Sequence, residues 1–206
     1  MIANHNRAFW FGASDSHYIM GNWNTQTFAL WWLEKLGLRK NTFTSSAMQT
    51  GSAYEHRILD ALGVKKRDRQ IKIRRYRLRV NLDGEDEIIH EVKTYGGESF
   101  AVTKGYWQQA QVEMFATRKL LVIEAYRLNE SDYTNWFNSI DSSRLSSHSI
   151  PYDPVWINAE YLPRLKYLAH CLRKKVFPNE RDFENYRNPK SRRVKLNHQD
   201  NEPDGR

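Results

Sequence analysis

One run in the middle of the chain restricts the fold more than any other. Tyr76, Leu78, Val80 and Leu82 alternate with Arg75, Arg77, Arg79 and Asn81. Strand side chains point to opposite faces in turn, so this run predicts a half-buried strand with one apolar and one arginine-rich face. Asp83 continues the polar face. Gly84-Glu85-Asp86 reads as a turn and Glu87 to Tyr95 as a second strand, which makes 75–95 a hairpin closed off by Gly96-Gly97.

Helical patterns surround this hairpin. Ser14 is placed to cap a short helix through Met20, with Gly21 supplying a left-handed turn after it. Thr25 starts a second helix that ends at Gly37, and Thr44 to Ser46 start a third that ends at Gly63. Gly51 lies inside the third helix, where it costs up to ~1 kcal/mol and so marks a close approach by another group. Lys104 to Arg118 reads as a further helix and Leu120 to Tyr126 as a central strand. Asn129 to Ser149 reads as a loop region with one short helix, and Pro154 to Val176 as helical. Trp23, Trp31 and Trp32 sit at helical spacing beside Leu30 and Leu33 and are read as core. The domain is expected to span 1–178, leaving 179–206 as a polar tail that is disordered or ordered only by a partner.

Charge narrows the function. The 206 residues carry 32 Lys+Arg against 24 Asp+Glu, a net charge of +8. Lys65 to Arg79 alone holds nine basic residues and one acid, Asp68, and so accounts for the whole excess. A block of this kind suits a surface that follows phosphates. A single cysteine, Cys171, excludes an internal disulfide framework and a four-cysteine metal site within the chain. No apolar run reaches the ~18 residues of a membrane span, and a reducing intracellular setting is expected.

Chemistry is concentrated at Asp83 and Glu91-Val92-Lys93. Glu91 and Lys93 share a strand face, and a hairpin can bring Asp83 beside Glu91. Two converging carboxylates make a hard-oxygen site suited to Mg²⁺, and a lysine beside them can orient or help deprotonate a water. By itself D-x₇-E-x-K is a weak pattern, equally at home in a solvated hairpin with a cross-strand ion pair. His90 falls on the Val92 face and is read as a packed histidine. His17 and His56 form no H-x₃-H or H-E-x-x-H pattern, which argues against zinc.

Four motifs in fixed order strengthen the pattern: Glu55 within TGSAYEHRIL, Asp83-Gly84, Glu91-Val92-Lys93, and the run Tyr106-Trp107-Gln108-Gln109-Ala110-Gln111-Val112-Glu113-Met114. Together with the opening FGASDSHYIMG, they make residues 7–125 resemble the lambda-exonuclease-like, or YqaJ-type, branch of the PD-(D/E)XK nucleases. One departure is Leu82, which stands where the family name has proline.

The resemblance implies an α/β restriction-endonuclease-like core, a small mixed β-sheet flanked by helices. It implies that Asp83, Glu91, the Val92 carbonyl and Glu55 hold Mg²⁺, with Mn²⁺ as a substitute. Lys93 would position the water, and Gln109 would orient Lys93 or the water. Arg7 and Ser14 would hold a terminal phosphate, and the basic face, Arg75, Arg77 and Arg79, would meet the DNA backbone. The implied activity is a 5′→3′ exonuclease on double-stranded DNA with a free end, serving phage-type recombination. The implied setting is the cytoplasm of a bacterial host, from a phage or prophage gene. A homotrimer and a single-strand-annealing partner are implied as well. Two alternatives stay open from the sequence: a restriction or repair endonuclease of the same fold, and a non-catalytic DNA-binding or inhibitor protein built on it.

Overall fold

The structure is a computed structural model that describes residues 7–187. Its centre is one five-stranded mixed sheet in the order β1-β2-β3-β4-β5, made of Lys66–Ile73, Leu78–Glu85, Ile89–Tyr95, Leu121–Arg127 and Leu145–Ile150. β3 and β4 run parallel, and every other neighbouring pair is antiparallel. A parallel pair needs a crossover, which the helix Lys104–Thr117 supplies. This is the expected fold class.

Eight α-helical segments flank the sheet among the described residues. They are α1 (Ser16–Ile19), α2 (Gln26–Lys35), α3 (Ser46–Ala61), α4 (Lys104–Thr117), α5 (Glu130–Thr134), α6 (Pro154–Trp156), α7 (Leu162–Lys174) and α8 (Glu180–Arg187). A π-helical turn, Ile157–Tyr161, joins α6 to α7. Thr25 and Ser45 cap α2 and α3 as expected, accepting from the N–H of Phe28 and of Met48. Gly37 and Gly63 follow these helices at φ of 73° and 74°. Gly51 meets β3 closely, since a Cβ there would lie 3.0 Å from Thr94 Oγ1.

The sheet separates two apolar layers. On one face α3 packs Tyr54, Ile58 and Leu59 against Val64, Val92, Tyr126 and Leu128. The larger layer gathers Phe11, Ile19, Phe28, Trp31 and Trp32 with the apolar residues of β2, α4 and α7. Trp23, Trp31 and Trp32 are buried there, as their spacing predicts.

Several expectations are corrected. The start of the chain is not capped by Ser14: Gly12 is the cap of a 3₁₀ turn, Ala13–Asp15, and its N–H donates to Asp15 Oδ2 at 2.6 Å. Gly21 is not left-handed. The first strand of the expected hairpin begins later, because Arg74–Tyr76 is a 3₁₀ turn and Arg77 sits at φ 53°. Only Arg79 of the three alternating arginines is on β2, and it is buried. The strand also continues through Gly84 and Glu85, so the turn lies two residues further on, at 86–88. β1 and β5 occupy segments read as basic surface and as loop. Residues 180–187, read as part of the tail, form α8, whose Phe183 is buried against Trp23 and Tyr167. The rest of the expected tail, 188–206, lies outside the described residues.

Candidate active site

The site begins where two strands part. β2 and β3 are paired only at Gly84↔His90 and Glu85↔Ile89. Beyond this point Val92 N–H donates to the Asp83 carboxylate, Oδ2 at 3.0 Å, instead of to a strand neighbour. The free edge of β2 is met instead by Phe11. Its N–H donates to Arg77 O (2.7 Å), and its carbonyl accepts from Arg79 N–H (2.8 Å). The Gly12–Asp15 turn and the Glu91–Lys93 face of β3 therefore both lie along the one edge of β2 that β1 leaves open.

Gly84 has a packing reason to follow Asp83. A Cβ there would lie 2.6 Å from Leu59 Cδ2 and 3.0 Å from Val64 Cγ1. Its absence lets α3 settle on the sheet and bring Glu55 to the mouth of the fork.

A cavity of about 600 Å³ opens in the fork. Glu55, Asp83, Lys93 and Gln109 all line it, together with the Arg7 and Ser14 expected to hold phosphate. Glu91 is buried at its edge, 3 % exposed. Lys93 Nζ donates to Glu91 Oε1 at 2.6 Å and to Gln109 Oε1 at 3.4 Å. It also lies 5.1 Å from the Tyr106 ring centre. Gln109 Nε2 donates to Glu91 Oε1 at 2.5 Å and to Glu113 Oε1 at 2.9 Å.

The acids here repel one another. Burial first, then Glu91 and Glu55, holds the Asp83 carboxyl well above the usual range. Burial and Glu91 do the same to Glu113, and raise Glu55 too. Burial works against the charge of Lys93, yet Glu91 outweighs it and keeps the amine an ammonium. Oε2 of Glu91 and Oε2 of Glu113 are buried with no hydrogen-bond partner among the described residues. Buried carboxylate oxygens are seldom left this way, and a hard divalent cation is the ligand that would satisfy Glu91.

Outside the expected set, His56 Nε2 lies 3.1 Å from Asp68 Oδ2 and 4.0 Å from Glu55 Oε1. These three residues offer ligand atoms within 4.8 Å of one another. Asp83, Glu91 and Glu55 do not form so tight a group. Asp83 is turned onto Val92 N–H, and Glu91 onto Lys93 and Gln109.

The opposite end of the cavity is basic. Arg7, Lys35 and Arg79 line it. Lys35 is spoken for by a buried ion pair with Asp15, which also accepts from Trp31 Nε1 at 2.9 Å. Arg79 is 7 % exposed and makes no ion pair among the described residues. Arg75 and Arg77 lie apart from this cavity. Arg75 is stacked 4.5 Å from the Tyr76 ring centre and lines a second hollow with Arg118 and Lys119. His90 is packed as expected, its Nδ1 2.9 Å from Glu124 Oε1.

Sequence reasoning missed three things here. Glu113 was quoted within a motif but given no role, and its i, i+4 spacing from Gln109 was the available signal. Asp15 and Lys35 hold the basic end in shape, which only the tertiary fold reveals. Asp68 reaches His56 through the pairing of β1, a strand the charge block concealed.

Comparison with solved structures finds an alkaline exonuclease of Laribacter hongkongensis, with a TM-score of 0.59 over 92% of this chain and 96% of that one. The chain shares its fold with that exonuclease. Sequence identity to that exonuclease is 15%. No protein-family model matches the chain, and no curated protein matches it.

Proposed function

We propose that this protein is a divalent-cation-dependent DNA nuclease that cuts from the end of a duplex. The observation that carries the reading is one cavity with two chemistries: an orphaned buried carboxylate beside an ammonium at the fork, and at the far end Arg7 with Arg79, which makes no ion pair among the described residues. A phosphodiester strand is the substrate that needs both. The fold shared with an exonuclease supports the same conclusion.

In this reading Asp83, Glu91, the Val92 carbonyl and Glu55 hold Mg²⁺, with Mn²⁺ as a substitute. Bound there, the ion supplies a water of lowered pKa and offsets charge on the phosphate being cut. Lys93 donates from its ammonium to orient that water. Gln109 accepts from Lys93 and limits its swing. Arg79, Arg7 and Ser14 take a terminal phosphate, while Arg75 and Arg77 meet the backbone further out. The family resemblance adds 5′→3′ polarity, a role in phage-type recombination in a bacterial cytoplasm, a homotrimer and an annealing partner. No helix among the described residues is long and apolar enough to cross a membrane.

The test is digestion of end-labelled linear duplex with and without Mg²⁺, comparing 5′-phosphate with 5′-hydroxyl ends. Cation-dependent shortening that favours the 5′-phosphate is the expected result. Cutting of closed circles with no regard for that group would make the protein an endonuclease, and no cleavage with either cation would end the nuclease reading.

A further inference from the structure

Glu113 has no place in the proposed ion set, yet it is fully buried and lines the same cavity. It sits one helical turn after Gln109 on α4, so the two side chains share a face. A glutamine amide is nearly symmetric in shape but not in chemistry, since one end accepts and the other only donates. Lys93 needs the accepting end. With the amide reversed, an NH₂ group would face an ammonium and the contact would be lost.

Two carboxylates prevent that reversal. Glu91 Oε1 and Glu113 Oε1 both accept from Gln109 Nε2, leaving Gln109 Oε1 toward Lys93. Only one of these anchors is independent of the reaction. Glu91 is needed by the cation in the nuclease reading, on which this inference rests, and a carboxylate drawn to an ion is a poorer partner for an amide. We infer that Glu113 is a positioning residue that fixes the orientation of the Gln109 amide, and through it Lys93, while Glu91 is engaged.

Wild type, Glu113→Met, Glu113→Gln, Gln109→Met and the double variant are compared as full-length chains. Melting temperature, kcat and KM on linear duplex with Mg²⁺, and the Gln109 side-chain amide resonances without cation are measured. Glu113→Met should lower kcat by about 30- to 100-fold with KM within about threefold, the pattern of an interaction that matters in the transition state and not in binding. Glu113→Gln keeps an accepting oxygen and should stay within about threefold of wild type. If Glu113 acts only through Gln109, adding Glu113→Met to Gln109→Met should cost less than about twofold more. The Gln109 amide resonances should move in Glu113→Met and stay in Glu113→Gln.

A folded Glu113→Met with unchanged kcat and unchanged resonances overturns the inference, as does a double variant whose loss is the product of the two single losses. Should Glu113→Met fail to fold, a tenfold or larger loss in folded Glu113→Gln overturns it instead. An inactive wild type would end the nuclease reading, and the resonances alone would then decide the orientation.

Discussion

Tyr54 and Glu55 are neighbours on α3, yet they face two acids of opposite kind. Tyr54 donates to Asp132, which also accepts from Asn138, Asn129 N–H and Arg144, the last at 2.6 Å. Burial alone would raise that carboxyl, but these donors outweigh it and push it down to about 2. Glu55 instead faces Asp83, which has one backbone N–H and two other acids, and is pushed up. The same side chain, fully buried at Asp132 and partly buried at Asp83, is a fastener in one place and an unfinished ligand in the other. The donors around a buried carboxylate, and not its burial, show which of the two it is.

The sharpest way to break this comparison is at the unfinished end. Glu91→Ala or Lys93→Ala should lower cleavage by ~10³-fold or more, with melting temperature and much of the duplex affinity kept. Full activity in either purified variant would remove the mechanism. At the fastened end the effect should be on stability: Asp132→Ala should cost about 3–5 kcal/mol in urea unfolding, because Arg144 is left without its buried partner. A loss below about 1 kcal/mol would make the Asp132 cluster no different from a surface pair.

Cation binding should separate the two ends next. At a hundredfold excess over its dissociation constant, Mg²⁺ should stabilise wild type by about 2.7 kcal/mol and Glu91→Ala by far less, read as a shift in melting temperature. Equal shifts would put the ion elsewhere, with the Glu55–His56–Asp68 group the first place to look. The pH dependence of Asp132 is smaller. Its folded carboxyl lies below the ordinary 3.8, so its contribution of about 2 kcal/mol is complete above that value. It should fade as pH falls toward 2, and Asp132→Asn should lack that part of the acid limb. Smallest of all, Arg75→Ala should weaken duplex binding less than Arg79→Ala, since Arg75 lies on Tyr76 outside the main cavity.

How much of this was legible depends on how local each signal is. Asp83, Glu91, Lys93 and Gln109 could be singled out together because the first three lie on the adjacent strands β2 and β3 and Gln109 falls within the 106–114 run on α4. The two apolar layers followed from alternation in β2 and from helical spacing in α3 and α7. β1 was hidden because Lys66–Ile73 is an edge strand with only Ile71 and Ile73 apolar, so no period of two shows through the charge. β5 was hidden by Ser146, Ser147 and Ser149, which read as loop. The alternation at Arg75 and Arg77 pointed to a strand, but the backbone turns there and Arg77 takes a left-handed conformation. Arg79 looked like a surface arginine, and only the Phe11 segment laid along β2 encloses it.

The parting of β2 from β3 has a consequence for how the protein can be watched. The amide proton of Val92 is shielded by a side chain that the proposed reaction itself would recruit. When Asp83 turns toward a cation, that proton should trade with deuterium at a new rate, while its neighbours in the β3–β4 ladder keep theirs. The backbone thus carries its own gauge of whether the centre is loaded, readable with neither substrate nor label.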